Sequence, residues 1–296
     1  MQRSMVISSM IYKFGERFFM KIFGLIIAIV LARYVTPQEF GLLAILTVFE
    51  SFGEVFVDSG LPTSLVQGKD IRDEDFSSAF YVGFGISSCF VVGLFFAAPW
   101  ISHFYRTEEL IWPLRVFSVL LIVNAFNGIK IARLQRKMYF RAQMICQVIA
   151  VVSSGILGIY LATHSYGVWA LVGYVLSQSL FLCLLLIFTD RWLPGIVFNW
   201  NRAKKLFSFG SKILGVNLLN KIYNNCRTLF IGKQFEIVDL AYYDRGKWTP
   251  EVVAGNYDTT IQSVMLPAYS KVQDDRAQLK ELLRDTIKYS SRTRKY

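Results

Sequence analysis

Three long stretches of the chain carry no formal charge: Phe76 to Tyr105, Ala142 to His164 and Ser165 to Thr189. Each exceeds the roughly 20 residues that a helix needs to cross a bilayer. Lipid offers backbone N–H and C=O groups no partners, so stretches of this kind can only be helices or closed barrels, and their length and continuous apolarity select helices. Less pure segments, Ile11 to Tyr34, Gln38 to Gln67, Glu109 to Ile131, Leu206 to Gly232 and Ile237 to Tyr269, extend the count to about eight transmembrane helices joined by short polar turns such as "TPQE" and "THSYG". The predicted fold class is an all-α integral membrane bundle. A mean hydropathy of +0.40 with 54% hydrophobic residues agrees with it.

Lys and Arg set the orientation. With the N-terminus in the cytoplasm, 14 loop-flanking cations fall inside and only Arg33, Arg106 and Lys233 outside, as the positive-inside rule requires. The formal net charge of +11 is therefore a topology signal and excludes a nucleic-acid partner as its cause. Ile22 to Ala32 lacks a small-residue cleavage site and is read as part of helix 1, not as a signal peptide. Cys89, Cys146, Cys183 and Cys226 fall in four separate helices and read as small buried apolar residues, with no disulfide or metal framework. P-loop, metalloprotease and serine-hydrolase signatures are absent. No catalytic residue, metal or cofactor is expected.

Charge inside the apolar segments is placed selectively. Glu50, Glu54 and Asp58 occur at i, i+4 and i+8 in "FESFGEVFVDSG", on one face of a helix. Lys13, Arg17 and Lys21 repeat that spacing on helix 1. In an antiparallel hairpin turning near Val35 and Thr36, the pairs Lys21 with Glu50, Arg17 with Glu54 and Lys13 with Asp58 share one index sum and so one depth. An unpaired intramembrane charge costs about 3 kcal/mol or more, so the acids are expected to face either this basic stripe or a wet cavity. Sliding the chain by 200 residues superposes Gly15 on Gly215, Lys21 on Lys221, Arg33 on Lys233 and Asp58 on Asp258, which suggests parallel repeats starting at helices 1 and 7. Helices 1, 2, 7 and 8 are then expected to line a central path, with uncharged helices 3, 5 and 6 toward lipid.

The motifs "LARYVTPQEFGLLAI", "FVDSGLPTSLVQGKD", "DLAYYDRGKWTPEVV" and "IQSVMLPAYSKVQDD" resemble the polysaccharide exporter, or O-antigen and capsule flippase, family of the multidrug, oligosaccharidyl-lipid and polysaccharide exporter superfamily. The resemblance implies two six-helix bundles that move an undecaprenyl-diphosphate-linked oligosaccharide across the bacterial inner membrane by alternating access. Membrane lipid is an implied partner, as are a polysaccharide polymerase or glycosyltransferases. Arg227 in "NNCRTLFIGK" stands where such relatives lead one to expect an acidic or neutral residue. A second repeat of equal length would run well past Tyr296. The expected layout is therefore a complete six-helix bundle over 1–190, a cytoplasmic linker over 191–205, and, over 206–296, the first two helices of a truncated second bundle with a basic tail. Lys13, Arg17, Lys21, Lys212, Lys221 and Arg227 are candidates for substrate-anion contacts, and Glu50, Glu54, Asp58 and Asp258 for balancing them or binding a coupling cation. A cation-coupled drug exporter of the same superfamily and a non-transporting membrane assembly protein are the alternatives.

Overall fold

The computed structural model of the chain describes the backbone of residues 2–58, 60–67, 71–195 and 200–247, and the side chains of these ranges except 2–11, 14, 67 and 201–213. The helices are α1 (Gln2–Leu31), α2 (Pro37–Asp58), α3 (Leu61–Gln67), α4 (Asp73–Tyr105), α5 (Ile111–Ser118), α6 (Leu120–Arg136), α7 (Phe140–Thr163), α8 (Val168–Thr189) and α9 (Trp200–Gln234). A further helix, α10, covers 237–247. No strand occurs among the described residues. Among the described residues, five stretches are long and apolar enough to cross a membrane: Pro37–Val66, Asp73–Tyr105, Glu108–Arg136, Phe140–Thr163 and Val168–Thr189. The protein is an all-α, multi-pass membrane protein.

Local chemistry explains the breaks. "TPQE" is a capping box: the Thr36 N–H donates to Glu39 Oε2 at 2.6 Å, the Glu39 N–H reaches Thr36 Oγ1 at 3.4 Å, and Pro37 takes the first helical position, where no N–H is needed. The single helix expected over Gln38 to Gln67 is two, because Gly60 adopts φ +69°, in the left-handed region where a Cβ is penalised, and Pro62 then opens the first turn of α3. The segment expected over Glu109 to Ile131 likewise divides into a 3₁₀ turn (Glu108–Leu110), α5 and α6.

The chain divides into two compact units, 1–244 and 245–296. Helix α2 is the central element of the first. Leu42, Ile45 and Leu46 are buried among Leu114 and Phe117 of α5, Leu120 of α6 and Val172 of α8. Helices α7 and α8 form a close hairpin: Gly173 lies under Leu161 and Gly158 under Tyr174, so tightly that a Cβ at either glycine would fall within 3 Å of the facing side chain. Small residues substitute here for a hydrophobic driving force that lipid cannot provide. Large apolar side chains, among them Phe96, Trp100, Ile156 and Phe188, project outward from α4, α7 and α8. Cys146 is buried as expected, but Cys89 and Cys226 lie on the helix surface, which in a membrane protein is an apolar environment in its own right.

The chain leaving α8 is fastened to α6 and α4 by an ionic cluster. Arg133 Nε lies 2.8 Å from Asp190 Oδ2, and Arg133 also pairs with Asp73. Lys137 reaches Asp190 at 3.1 Å. The Lys130 ammonium, on a side chain 1% exposed, donates to the carbonyls of Asp190 (2.6 Å) and Trp192. The Trp192 indole lies 5.6 Å from the Lys130 ammonium and 5.0 Å from the Arg133 guanidinium, within cation–π range. Buried cations normally need partners of this kind, and here backbone carbonyls and two carboxylates meet the need together.

Candidate functional site

The polar face of α2 carries Glu50, Ser51, Glu54 and Asp58, and its neighbours decide what those groups can do. Gly53 lets α6 approach closely, since a Cβ there would sit 2.6 Å from Leu121 Cδ1. That approach brings Asn124 of α6 level with Glu50, and Asn124 Nδ2 donates to Glu50 Oε1 at 3.2 Å. Asn124 Oδ1 accepts from Ser179 Oγ of α8 at 3.0 Å, while Asn127 Nδ2 donates to the Ser179 carbonyl at 3.0 Å. A polar relay thus crosses the bundle from α2 through α6 to α8.

On the other side α9 supplies the partners. Lys221 Nζ lies 3.4 Å from Glu54 Oε2, and Asn225 Nδ2 donates to Ser51 Oγ at 3.2 Å. Two cavities flank the acids. One, of about 460 Å³, is bounded by α2, α3, α4 and α6 and includes Pro62, Asn124 and Gln135 in its wall. The other, of about 300 Å³, lies between α2 and α9 and is lined by Asn217, Asn220, Lys221 and Asn224. Glu54 and Asp58 line both. Each cavity is large enough for several waters, so carboxylates and an ammonium can stay hydrated within apolar helices.

Glu54 and Asp58 line cavities, and Glu50 meets Asn124. The rung-for-rung pairing with α1 is not formed. Helix α1 packs on α7 instead: Ile27 fits against Gly155, whose missing side chain leaves room for it, and Gln143 Nε2 donates to the buried Glu16 at 3.2 Å. Lys13 pairs within its own helix with Glu16 at 3.4 Å and lies near the Phe140 ring. Arg17 is exposed and Lys21 half-buried, and among the described residues neither forms an ion pair with the α2 acids. An equal index sum fixes equal depth only if consecutive helices face each other. Gly155 of α7 gives Ile27 of α1 a close fit there.

Lys221 alone of the six cation candidates meets an α2 acid among the described side chains. Arg227 is exposed on α9 and lines neither cavity. The side chain of Lys212, and Asp258 altogether, lie outside the described residues, as does the level matching expected between them. Sequence reasoning missed Asn124, Asn127, Ser179 and Asn225. The legible signal for two of them was a pair of uncharged polar residues at i and i+3 inside the apolar run "VNAFNGIK".

A bundle of apolar helices with polar-walled cavities, and an ion pair at their common wall, defines a multi-pass membrane protein with a polar site among its helices. Residues 30–293 match the polysaccharide biosynthesis protein family, and the chain belongs to that family. It is 23% identical to the succinoglycan biosynthesis transport protein ExoT of Rhizobium meliloti (strain 1021) over 86% of this chain and 51% of that protein. It is also 23% identical to the teichuronic acid biosynthesis protein TuaB of Bacillus subtilis (strain 168), over 78% of this chain and 48% of that one. The lipopolysaccharide biosynthesis protein WzxC of Escherichia coli (strain K12) is 22% identical over 87% of this chain and 53% of its own length. The chain thus spans about half the length of the curated relatives it matches. No solved structure matches it.

Proposed function

We propose that the protein serves in flipping an undecaprenyl-diphosphate-linked oligosaccharide across the bacterial inner membrane for surface polysaccharide synthesis, as a transporter and not an enzyme. The observation that carries this reading is the placement of Glu54, Asp58 and Lys221 around cavities with polar walls, in a membrane-protein member of a polysaccharide biosynthesis family. Diphosphate and sugars cannot cross hydrocarbon, whereas a polyprenyl tail can remain in it. A polar cavity open toward lipid answers both demands without making or breaking a bond.

In this reading Lys221, with Lys13, Arg17, Lys21, Lys212 and Arg227, offers cations to the diphosphate as helices rearrange. Glu50, Glu54, Asp58 and Asp258 balance those cations or hold the coupling ion. The N-terminus lies in the cytoplasm, residues 1–190 act as one bundle, and the helices after the 191–205 linker act as the start of another. A polysaccharide polymerase or glycosyltransferases would meet the product or supply the substrate. Deletion of the gene in its host is the test. Loss of surface polysaccharide, with lipid-linked repeat units accumulating on the cytoplasmic leaflet, is expected. Unchanged surface polysaccharide and no accumulation would overturn the proposal. A cation-coupled drug exporter is favoured by the acids in the cavity wall, and raised drug susceptibility with normal polysaccharide would select it.

A further inference from the structure

A third cavity lies away from the acidic face, between α2, α4 and α9. It is about 580 Å³, within the 300–1,000 Å³ typical of ligand clefts, and its wall is almost wholly apolar: Phe49, Trp100, Ile101, Phe104 and Phe230 are among its residues. It opens sideways, since Trp100 is 80% exposed and Phe230 64%. Its α4 wall, Trp100 included, belongs to a stretch long and apolar enough to cross a membrane.

One end of the cleft is polar. Helix α4 stops at Tyr105 with Arg106 in the left-handed conformation (φ 54°), and the Thr107 N–H returns to the Ser102 carbonyl at 3.1 Å, which closes the helix end sharply. Helix α9 ends nearby at Gln234. Lys233 marks this rim: its Nζ donates to the Phe104 carbonyl at 2.7 Å and lies 4.0 Å from the centre of the Phe104 ring. An ammonium has three donors, and one carbonyl takes one. The side chain is exposed, and among the described residues no carboxylate pairs with it. The cleft therefore presents an apolar trough under aromatic rings, capped by a held cation at the level where both helices give way to polar turns. That sequence of chemistries matches a phospholipid, hydrocarbon chain below and phosphate above.

We propose that this cleft is a binding site for an anionic bilayer phospholipid, one chain lying along Trp100, Ile101 and Phe230 and the phosphate on Lys233. The proposal depends on membrane embedding alone and not on the flippase reading. The occupant is taken to be a resident lipid because the cleft faces outward and shares none of the residues lining the two acid-flanked cavities.

The test uses the full 296-residue chain in nanodiscs carrying trace phosphatidylglycerol or phosphatidylcholine with the same diazirine-bearing acyl chain. Labelled residues are mapped by mass spectrometry after illumination. Labelling concentrated at 97–105 and 229–233, and roughly fivefold stronger with phosphatidylglycerol, is expected for one cation at the interface. Lys233→Gln should abolish the headgroup preference while leaving chain labelling in place. Equal labelling by the two lipids in the unaltered protein would overturn the proposal without reference to any variant. So would labelling spread evenly over the outward faces of α4, α7 and α8, or a cleft closed to lipid by crosslinks to a second protein copy. Loss of phosphatidylglycerol labelling on adding equimolar undecaprenyl diphosphate would overturn the resident-lipid assignment.

Discussion

Asp190→Asn is the substitution whose cost can be worked most directly from the geometry. The carboxylate is 12% exposed and meets two cations, Arg133 Nε at 2.8 Å and Lys137 Nζ at 3.1 Å. The two arms differ in solvent. The Lys137 side chain is 40% exposed, so water can replace its partner and its share is below about 1 kcal/mol. The Arg133 side chain is 12% exposed, and breaking a buried pair by removing one partner costs about 3 to 5 kcal/mol. Asp73 remains beside Arg133 after the change, which places the loss near the lower end of that range. The expected destabilisation is about 3 kcal/mol in total. Thermal or denaturant unfolding of the purified protein in detergent, followed by tryptophan emission, would measure it, with Trp192 beside Arg133 as a local reporter. Lys137→Met should lose less than about 1 kcal/mol in the same assay. The double variant Arg133→Met with Asp190→Leu should recover part of the single-variant loss, because no buried guanidinium is left unpaired and the charges that lose a partner, Lys137 and Asp73, are exposed enough for water to replace it. If Asp190→Asn costs no more than Lys137→Met, the cluster is not a fastening and the reasoning fails.

Other tests address the site and the packing. Glu54→Lys with Lys221→Glu should restore most of what either single change loses, with a coupling below about 1 kcal/mol for so exposed a pair, whereas Arg17→Glu with Glu54→Arg should restore nothing; a double-mutant cycle on stability in detergent decides between the two pairings. Gly41→Ala should destabilise by about 1 to 3 kcal/mol, since its Cβ would fall 2.2 Å from the Ile237 carbonyl, while Gly24→Ala, with no neighbour within 4 Å, should stabilise by about 0.5 to 1 kcal/mol; both are read as shifts of the unfolding midpoint. In a cysteine-free background, a cysteine at Ser165 should react with an impermeant maleimide in intact cells and one at Lys137 only after permeabilisation; the reverse pattern would invert the proposed topology.

What the sequence determined on its own was whatever depends on solvent and on neighbours along the chain. The charge-free stretches became α4, α7 and α8 because length and apolarity suffice to specify a helix in lipid. The turn at Thr36 to Glu39 and the i, i+4, i+8 alignment of Glu50, Glu54 and Asp58 are local consequences of capping and helical period. The partners of those acids were decided only by tertiary structure. Depth along a hairpin is a one-dimensional quantity that sequence spacing supplies, but which faces meet is set by close fit, and close fit depends on small residues far away in the chain. Gly155 drew Ile27 and with it α1 onto α7, while Gly53 admitted Leu121 and so placed Asn124 against Glu50. Lys221 arrived from 167 positions away to meet Glu54. Van der Waals complementarity between helices in lipid acts over a few ångströms and is indifferent to separation along the chain.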